Sequence, residues 1–142
     1  MKILVRQLGP EGVDLQESFA VDRIEMAQTD VLRFLQPFEI KAKVVRAQDE
    51  IVAKITSTSR FASFCSRCLE ELEQDWSARF TLTFSTKEYP EFVEMDEEIR
   101  QELILNLPVR VLCREDCKGL CIDCGANLNK QACQHQHAVK NS

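Results

Sequence analysis

Apolar and polar residues alternate most regularly in the middle of the chain. Apolar side chains occupy every second position in residues 38–44 and again in residues 51–55, on either side of a polar turn at residues 48–50. A third alternating run covers residues 76–85 and begins with Trp76. Because side chains alternate between the two faces of a strand, these runs predict an antiparallel hairpin and a further strand. One face of the sheet is expected to be buried and the other exposed.

The first 37 residues have weaker patterns. Residues 2–8 and 13–21 are typical of two strands on either side of the glycine- and proline-containing segment 9–12. Between residues 22 and 35, apolar residues recur every three or four positions, which predicts a helix that Pro37 ends. A separate short helix that starts at residues 29–30 is the alternative. The apolar residues with helical spacing are Ile24, Ala27, Val31 and Leu35.

A second helix is predicted to begin near Asp96, a favourable N-cap residue, and to end before Pro108. Glu97 and Glu98 would interact favourably with the positive end of the helix dipole. One side of this helix would be buried through four apolar residues, namely Ile99, Leu103, Ile104 and Leu107.

Residues 87–102 contain seven acidic residues and only two basic ones. Such runs are usually solvated, so the simpler interpretation is an exposed loop that leads into the second helix. The alternative is an acidic surface that docks onto a partner protein. The acidic residues are Glu88, Glu91, Glu94, Asp96, Glu97, Glu98 and Glu102.

Composition and charge are those of an ordinary globular chain of 142 residues, 44% hydrophobic and 29% charged. A formal net charge of −5 disfavours a generic nucleic-acid binder, which usually has a strong basic excess, although it is compatible with a local basic patch. No apolar run reaches membrane-spanning length, so we expect no membrane partner. Since no signal peptide is recognisable, we expect a bacterial cytoplasmic or an organellar protein.

Seven cysteines are many for this length, and an odd number without a secretion signal argues against a disulfide framework. Zinc takes four thiolate or imidazole ligands in a tetrahedron, so closely spaced cysteines are typical zinc ligands. Two C-x2-C pairs, a C-x3-C pair and a Cys-x-His predict structural Zn²⁺, and two ions would use every cysteine. The predicted ligands are Cys65, Cys68, Cys113, Cys117, Cys121, Cys124, Cys133 and His135.

The spacing divides these ligands into two tetrads. One tetrad, with three thiolates and one imidazole, closes within the tail: Cys121, Cys124, Cys133 and His135. The other, with four thiolates, joins the tail to the sheet: Cys65, Cys68, Cys113 and Cys117. Arg67, inside the first C-x2-C pair, is expected to hydrogen-bond this turn or an acid rather than RNA.

Several alternatives remain open for the metal. Iron also suits an all-cysteine site, because it too accepts tetrahedral sulfur. His137 could take the place of His135, and one ion rather than two could be bound. The rival single tetrad is Cys117, Cys121, Cys124 and Cys133.

No catalytic residues are expected. A redox C-x2-C pair normally lies at a helix N-terminus in a βαβ unit, which this sequence does not contain. Catalytic zinc keeps an open coordination position, whereas all-sulfur tetrads are closed. The two histidines both lie in the last eight residues, which leaves no Ser/His/Asp arrangement. We therefore expect a protein that is not an enzyme.

The domain organisation follows from the cysteines. No periodic hydrophobic pattern follows Leu112, so the tail has too few apolar residues to form its own core. We expect a sheet domain at residues 1–112 and a zinc-binding module at residues 113–142 that packs on it. The predicted fold class is α+β, with an antiparallel β-sheet, one or two helices and a C-terminal zinc-knuckle module.

Two strings then suggest a family. CSRCLE at residues 65–70 and ELILNLPVRVLCREDCKGLCIDCGANLN at residues 102–129, followed by Cys133, resemble the YceD-like family, which is named for large-subunit ribosomal RNA accumulation. The resemblance covers most of the chain and is most specific in the C-terminal string. Family members typically have a proline where this chain has Ile122 and a last cysteine where it has His135.

The resemblance implies a non-catalytic bacterial or organellar factor that supports ribosomal RNA accumulation and ribosome assembly. The implied partner is a precursor of the large ribosomal subunit, bound through its RNA, a ribosomal protein or both, with no small-molecule substrate. The residues alone indicate only an α+β binding module that structural zinc holds together. The competing hypothesis is a protein-interaction adaptor that uses the acidic stretch and does not contact RNA.

Overall fold

A computed structural model describes residues 1–24, 27 and 29–130. The largest part of the fold is one antiparallel sheet, as the alternating runs predicted. Four long strands lie side by side in the order β2, β4, β5 and β6, and the short β3 pairs with β5 beyond the end of β4. Their bounds are β2 Val13–Phe19, β3 Leu32–Phe34, β4 Phe38–Ala47, β5 Glu50–Phe64 and β6 Glu71–Ser85.

The hairpins of this sheet form where the sequence changes from alternation to polar residues. The β4–β5 turn is tight, with Ala47 paired to Glu50 and Gln48 in a left-handed conformation with φ of 59°. The β5–β6 ladder is the longest contact of the fold, because all fifteen residues of each strand are paired. Its turn, at residues 65–70, contains the first cysteine pair.

A second, two-stranded sheet joins β1 (Lys2–Leu4) to β7 (Phe92–Glu94), and the helix α1 (Asp96–Leu105) follows it. The two strands expected around residues 9–12 therefore both form, but β1 pairs with β7 and β2 pairs with β4. Short 3-10 turns cover Val5–Gln7 and Val21–Arg23. Among the described residues, no helix is long and apolar enough to cross a membrane.

One hydrophobic core lies between the inner face of the large sheet and the layer formed by β1, β7 and α1. An aromatic group at its centre joins four rings whose neighbouring centroids lie 4.7–5.7 Å apart. The ring-bearing residues are Phe34, Phe38, Phe61 and Trp76. The outer face of the large sheet carries the polar residues and faces water.

The helix predicted at residues 22–35 is wrong for the described residues of that segment. Leu32 and Phe34 are both buried and pair with β5, so the segment ends as a strand with period two. Val31 and Leu35, which the helical spacing placed inside, are 63% and 43% exposed. The hydroxyl oxygen of Thr29 accepts the N–H of Leu32 (3.0 Å) at the start of this strand.

The second predicted helix is confirmed as α1. It begins at Asp96, but Met95 rather than Asp96 takes the N-cap position, and its last helical residue lies before Pro108 as expected. Ile99 and Leu103 are fully buried against the sheet. The α+β class with an antiparallel sheet and one helix is therefore established.

Candidate metal centre

The first cysteine turn, residues 65–70, connects β5 to β6. The paired residues Phe64 and Glu71 bracket it. Inside it, the N–H of Cys65 donates to the carbonyl oxygen of Glu70 and the N–H of Leu69 donates to that of Cys65, both at 2.9 Å. Leu69 has a φ of 63°, a left-handed conformation that is rare for a branched side chain. The turn points the side chains of Cys65 and Cys68 into one buried space.

The segment after α1 is held against this turn by hydrogen bonds. The indole N–H of Trp76 donates to the carbonyl oxygen of Asn106 (3.0 Å), and the amide of Gln74 donates to that of Leu112 (3.0 Å). The backbone N–H of Ser66 donates to Val111 (2.8 Å). Strand β6 and its turn therefore guide the chain so that Cys113 arrives beside Cys68.

Four sulfur atoms meet at this place. The Sγ atoms of Cys65 and Cys117 lie 3.6 Å apart, those of Cys68 and Cys113 lie 3.7 Å apart, and all four lie within 4.8 Å of one another. These distances are too long for a disulfide, whose S–S bond is about 2.05 Å. Four ligands at the Zn–S distance of about 2.3 Å on a tetrahedron would stand roughly 3.8 Å apart, so the cluster fits a tetrahedral ion.

The thiols of this cluster differ in their tendency to ionise. Burial opposes ionisation of Cys65, but backbone N–H groups of Cys68, Cys113 and Arg67 donate to its sulfur and lower its pKa to about 6. The pKa of Cys113 is raised, first by loss of hydration and then by the neighbouring sulfurs, which disfavour a second negative charge. Holding all four as thiolates therefore requires a cation among them.

Polar groups around the cluster stabilise its geometry. Arg67 Nη1 donates to the carbonyl oxygen of Cys117 (3.1 Å), in the segment that faces its turn, rather than to its own turn or to an acid as expected. Asn129 Nδ2 donates to Cys117 Sγ (3.2 Å), and Asn129 Oδ1 accepts the N–H of Lys118 (2.8 Å). Sequence reasoning missed Asn129, because an amide donor to sulfur has no characteristic spacing.

A salt bridge and apolar packing complete the surroundings of the cluster. Lys130 forms a salt bridge with Glu70 of the first cysteine turn, and this cation lowers the pKa of the Glu70 carboxyl. Three leucines pack against the buried cysteines and limit access of water, namely Leu72, Leu112 and Leu120.

A second cysteine turn, residues 121–126, repeats the first in its backbone. The bridge between Leu120 and Asn127 brackets it. The N–H of Cys121 donates to the carbonyl oxygen of Ala126 and the N–H of Gly125 donates to that of Cys121, both at 2.8 Å. Gly125, with φ of 78°, stands at the position that Leu69 occupies in the first turn.

The sulfurs of the second turn are similarly arranged. Cys121 is buried and its Sγ accepts the N–H of Asp123 (3.4 Å), as Cys65 accepts that of Arg67. Cys124 is exposed. The two sulfurs do not belong to the four-sulfur cluster of the described residues. The other predicted members of the tail tetrad lie outside the described residues, namely Cys133, His135 and the alternative His137.

Fold and site together define a class of protein: a mostly antiparallel β protein whose C-terminal segment is joined to the sheet at a cluster of four cysteines. Residues 89–142 match the family model described as "Large ribosomal RNA subunit accumulation protein YceD". This segment of the chain is therefore similar to the YceD family, which confirms the resemblance seen in the C-terminal cysteine string.

Three relatives show how far the similarity extends. A protein from Arabidopsis thaliana named "Large ribosomal RNA subunit accumulation protein YCED homolog 1, chloroplastic" is 34% identical over 59 residues, which is 42% of this chain and 17% of that protein. The protein of the same name from Zea mays is 36% identical over 55 residues, 39% of this chain and 17% of that protein. An uncharacterized protein from Mycobacterium leprae is 25% identical over 113 residues, 69% of this chain and 52% of that protein.

The matched segment thus spans less than a fifth of the two chloroplastic relatives and about half of the mycobacterial one. No solved structure matches the chain.

Proposed function

We propose that this protein is a non-catalytic, metal-binding factor that supports accumulation of large-subunit ribosomal RNA and assembly of the large ribosomal subunit. The observation that carries this proposal is the family match to residues 89–142, whose described part includes Cys113 and Cys117 of the four-sulfur cluster. The names of two relatives also describe a role in accumulation of the large ribosomal RNA subunit.

The proposed cofactor is Zn²⁺. The first ion would be held by the cluster of the sheet and the tail, whose sulfur spacing fits tetrahedral coordination: Cys65, Cys68, Cys113 and Cys117. The structure places Cys117 beside Cys65, which supports this division over the rival tetrad that assigns Cys117 to the tail. Iron is the alternative ion for the same four ligands.

A second Zn²⁺ is proposed for the tail. Its support is the second cysteine turn, which has the same backbone hydrogen bonds and the same left-handed fifth residue as the first. The ligands would be Cys121, Cys124, Cys133 and His135, with His137 as the alternative to His135. On this proposal residues 113–142 form a zinc-knuckle module that packs on the sheet domain of residues 1–112.

The proposal that the protein is not an enzyme is supported by the chemistry of the ligands. Four thiolates occupy all positions of a tetrahedral ion and leave none for substrate or water. The metal would then act by fastening residues 106–117 to strand β6 and its turn, where the hydrogen bonds of Trp76, Gln74 and Ser66 already hold the chain.

Metal content tests this part of the proposal. Native mass spectrometry of the protein, purified without added metal, should show two zinc ions per chain. Cys68→Ser should reduce the content by one ion through the first tetrad, and Cys124→Ser should do so through the second. Purified, reduced protein with no bound zinc or iron would contradict the proposal.

The partner is proposed to be a precursor of the large ribosomal subunit. The chloroplastic names of two relatives support an organellar protein, and a bacterial cytoplasmic one is the alternative location. Sedimentation through a sucrose gradient tests the partner: tagged protein should move with precursors of the large subunit. Loss of the gene should lower the ratio of large-subunit to small-subunit ribosomal RNA. An unchanged ratio and sedimentation only as free protein would refute the proposal.

The competing proposal of an acidic adaptor has less support from the contacts. Glu94 and Asp96 bind the α-amino group of Met1, and Asp96 also pairs with Arg23 (3.2 Å). Part of the acidic stretch is therefore neutralised within the chain. An adaptor would show an affinity for its partner that changes little with salt, and no binding to ribosomal RNA.

A further inference from the structure

The outer face of the large sheet carries an unusual group of cations. Lys41 and Lys43 on β4, Lys54 on β5 and Arg79 on β6 all point outward and are all exposed. We call these four residues the basic face. The register places them in two adjacent rows across the four strands, Asp14–Lys43–Lys54–Thr81 and Gln16–Lys41–Thr56–Arg79.

The basic face is not neutralised by the chain. Among the described residues, no carboxylate forms an ion pair with any of its four members. Asp14, at the edge strand β2, is the one acid in the two rows. Two other cations of the sheet do have acidic partners: Arg33 pairs with Glu71 (3.4 Å) and Arg60 with Asp75 (2.7 Å).

Lys43 and Lys54 stand directly opposite each other on adjacent strands. Like charges in this position repel, so the Lys43–Lys54 pair works against folding, and Asp14 on the other side of Lys43 offsets only part of that cost. The protein as a whole carries a net charge of −5, and therefore a general excess of base does not account for it. Cations concentrated at the sheet centre at a cost to stability point to an anionic ligand.

We propose that the basic face binds the phosphate backbone of RNA, an inference that rests on the proposed role in ribosomal RNA accumulation and identifies the surface that makes the contact. Neighbouring cations of the face are separated by roughly 5–8 Å, as strand geometry requires, which allows each to meet a different phosphate. Thr56 and Thr81 add hydroxyl donors beside Lys54 and Arg79, and these four side chains line one shallow depression. Hydroxyl and basic side chains together are the usual ligands of backbone phosphates.

The chemistry of the two rows also indicates how the RNA is read. All eight residues are basic, acidic, hydroxyl or amide side chains, with no aromatic ring on which a base could stack. Recognition of single-stranded RNA usually depends on such stacking, whereas double-stranded RNA is bound through phosphates and shape. The basic face therefore fits a helical segment of RNA and binds it with little dependence on sequence.

The experiment measures binding of a fluorescent hairpin RNA to the full, metal-loaded protein by anisotropy over a series of salt concentrations. The test variant is Lys43→Glu/Lys54→Glu. The matched control is Arg6→Glu/Lys87→Glu, which changes the net charge equally at two exposed positions outside the large sheet. The test variant should lose roughly tenfold or more in affinity, and its slope of log K against log salt should fall by about two. The control variant should keep its RNA affinity and its salt slope close to those of the unmodified protein.

The single variant Lys54→Glu separates binding from folding. It places a carboxylate between Lys43 and Thr81, opposite no acid, so its thermal unfolding midpoint should be equal or higher while its RNA affinity falls. Loss of both affinity and midpoint would assign the effect to damage of the sheet and would overturn the inference.

Other outcomes distinguish this inference from the proposed function. RNA binding that the reversal leaves unchanged would overturn the basic face as the contact, with the proposed function intact. Absence of RNA binding, combined with sedimentation on large-subunit precursors that Lys54→Glu abolishes, would overturn RNA as the ligand and assign the face to an acidic protein of the particle. Absence of both RNA binding and particle association would refute the inference and the proposed function together.

Discussion

Replacing Cys68 with serine removes one of the four sulfurs that join the β5–β6 turn to the segment after α1. The sulfur of Cys68 lies 3.7 Å from that of Cys113, and the two residues are 45 positions apart in the chain. An ion that binds both closes a loop of this length in the unfolded chain as well as in the folded one. The expected loss on removing the link can therefore be calculated as for a cross-link.

The magnitude follows from chain entropy. Closing a loop of 45 residues lowers the entropy of the unfolded state by about 13 cal/mol/K, which corresponds to about 4 kcal/mol of stability at 25 °C. Cys68→Ser should lower the free energy of unfolding by this amount. The metal-free wild-type protein, prepared with a chelator under reducing conditions, should show the same loss, because both lack the link.

Urea denaturation followed by tryptophan fluorescence is the assay. Trp76 is the only tryptophan of the chain, it is buried, and its indole N–H donates to Asn106 at the start of the linked segment. The matched control is Cys124→Ser, which leaves the four-sulfur cluster intact and should keep the metal-linked stability of the sheet. A Cys68→Ser variant within about 0.5 kcal/mol of the wild type would refute the cross-link, since that is the usual range for exposed, unlinked sites.

Three further predictions concern the backbone and the sheet. Gly12→Ala should destabilise the fold by about 2–4 kcal/mol in urea denaturation, because the left-handed φ of 79° is strained for alanine and its Cβ would lie 2.6 Å from Val45 Cγ1; an unchanged midpoint would contradict this. Leu69→Gly should raise the free energy of unfolding by up to about 1 kcal/mol, since it relieves a φ of 63° at a side chain that is 62% exposed; a clear loss would show that this leucine packs against a neighbour. Lys54→Glu should stabilise the sheet by about 0.2–1 kcal/mol through its new pairing with Lys43, since its other neighbour is the uncharged Thr81, and thermal unfolding at low and high salt should show the gain shrinking as salt is added.

The long strands could be predicted from the sequence because their alternation is extended. Strands β4, β5 and β6 each bury one face over ten or more residues, and a period of two is unambiguous at that length. The helix α1 could be predicted for a similar reason, since its buried residues, acidic first turn and final proline agree.

The segment before β4 misled sequence reasoning for a physical reason. Its strand β3 has only three residues, and Leu32 and Phe34 alone show the period of two. The helical spacing that runs through Val31 and Leu35 is longer and more regular, but both side chains are exposed in the fold. Pairing with β5 decided the conformation, and pairing between distant residues leaves no local signal.

The same limit applies to the site. Cysteine spacing suggested the four sulfurs that lie together, because a C-x2-C turn presents its two ligands on one side, but it left a rival tetrad with Cys117 in the tail open. Spacing carried no information on Asn129, whose amide reaches Cys117 through a fold of the tail. The basic face could not be predicted from the sequence either, because Lys43 and Lys54 become neighbours only through the register of two strands.

The position of the first cysteine turn at the tip of the longest hairpin has a consequence for biosynthesis. Translation adds roughly 5–20 residues each second, so Cys68 precedes Cys113 by about 2–9 seconds. During that interval the hairpin can fold and present the thiols of Cys65 and Cys68 before Cys113 and Cys117 have been synthesised. An ion captured then would be held by two sulfurs only, and firm capture must await the arrival of the other pair. The ion would therefore attach the C-terminal segment to a sheet that has already folded. In a cell short of zinc, chains with an ordered sheet and an unattached C-terminal segment would accumulate.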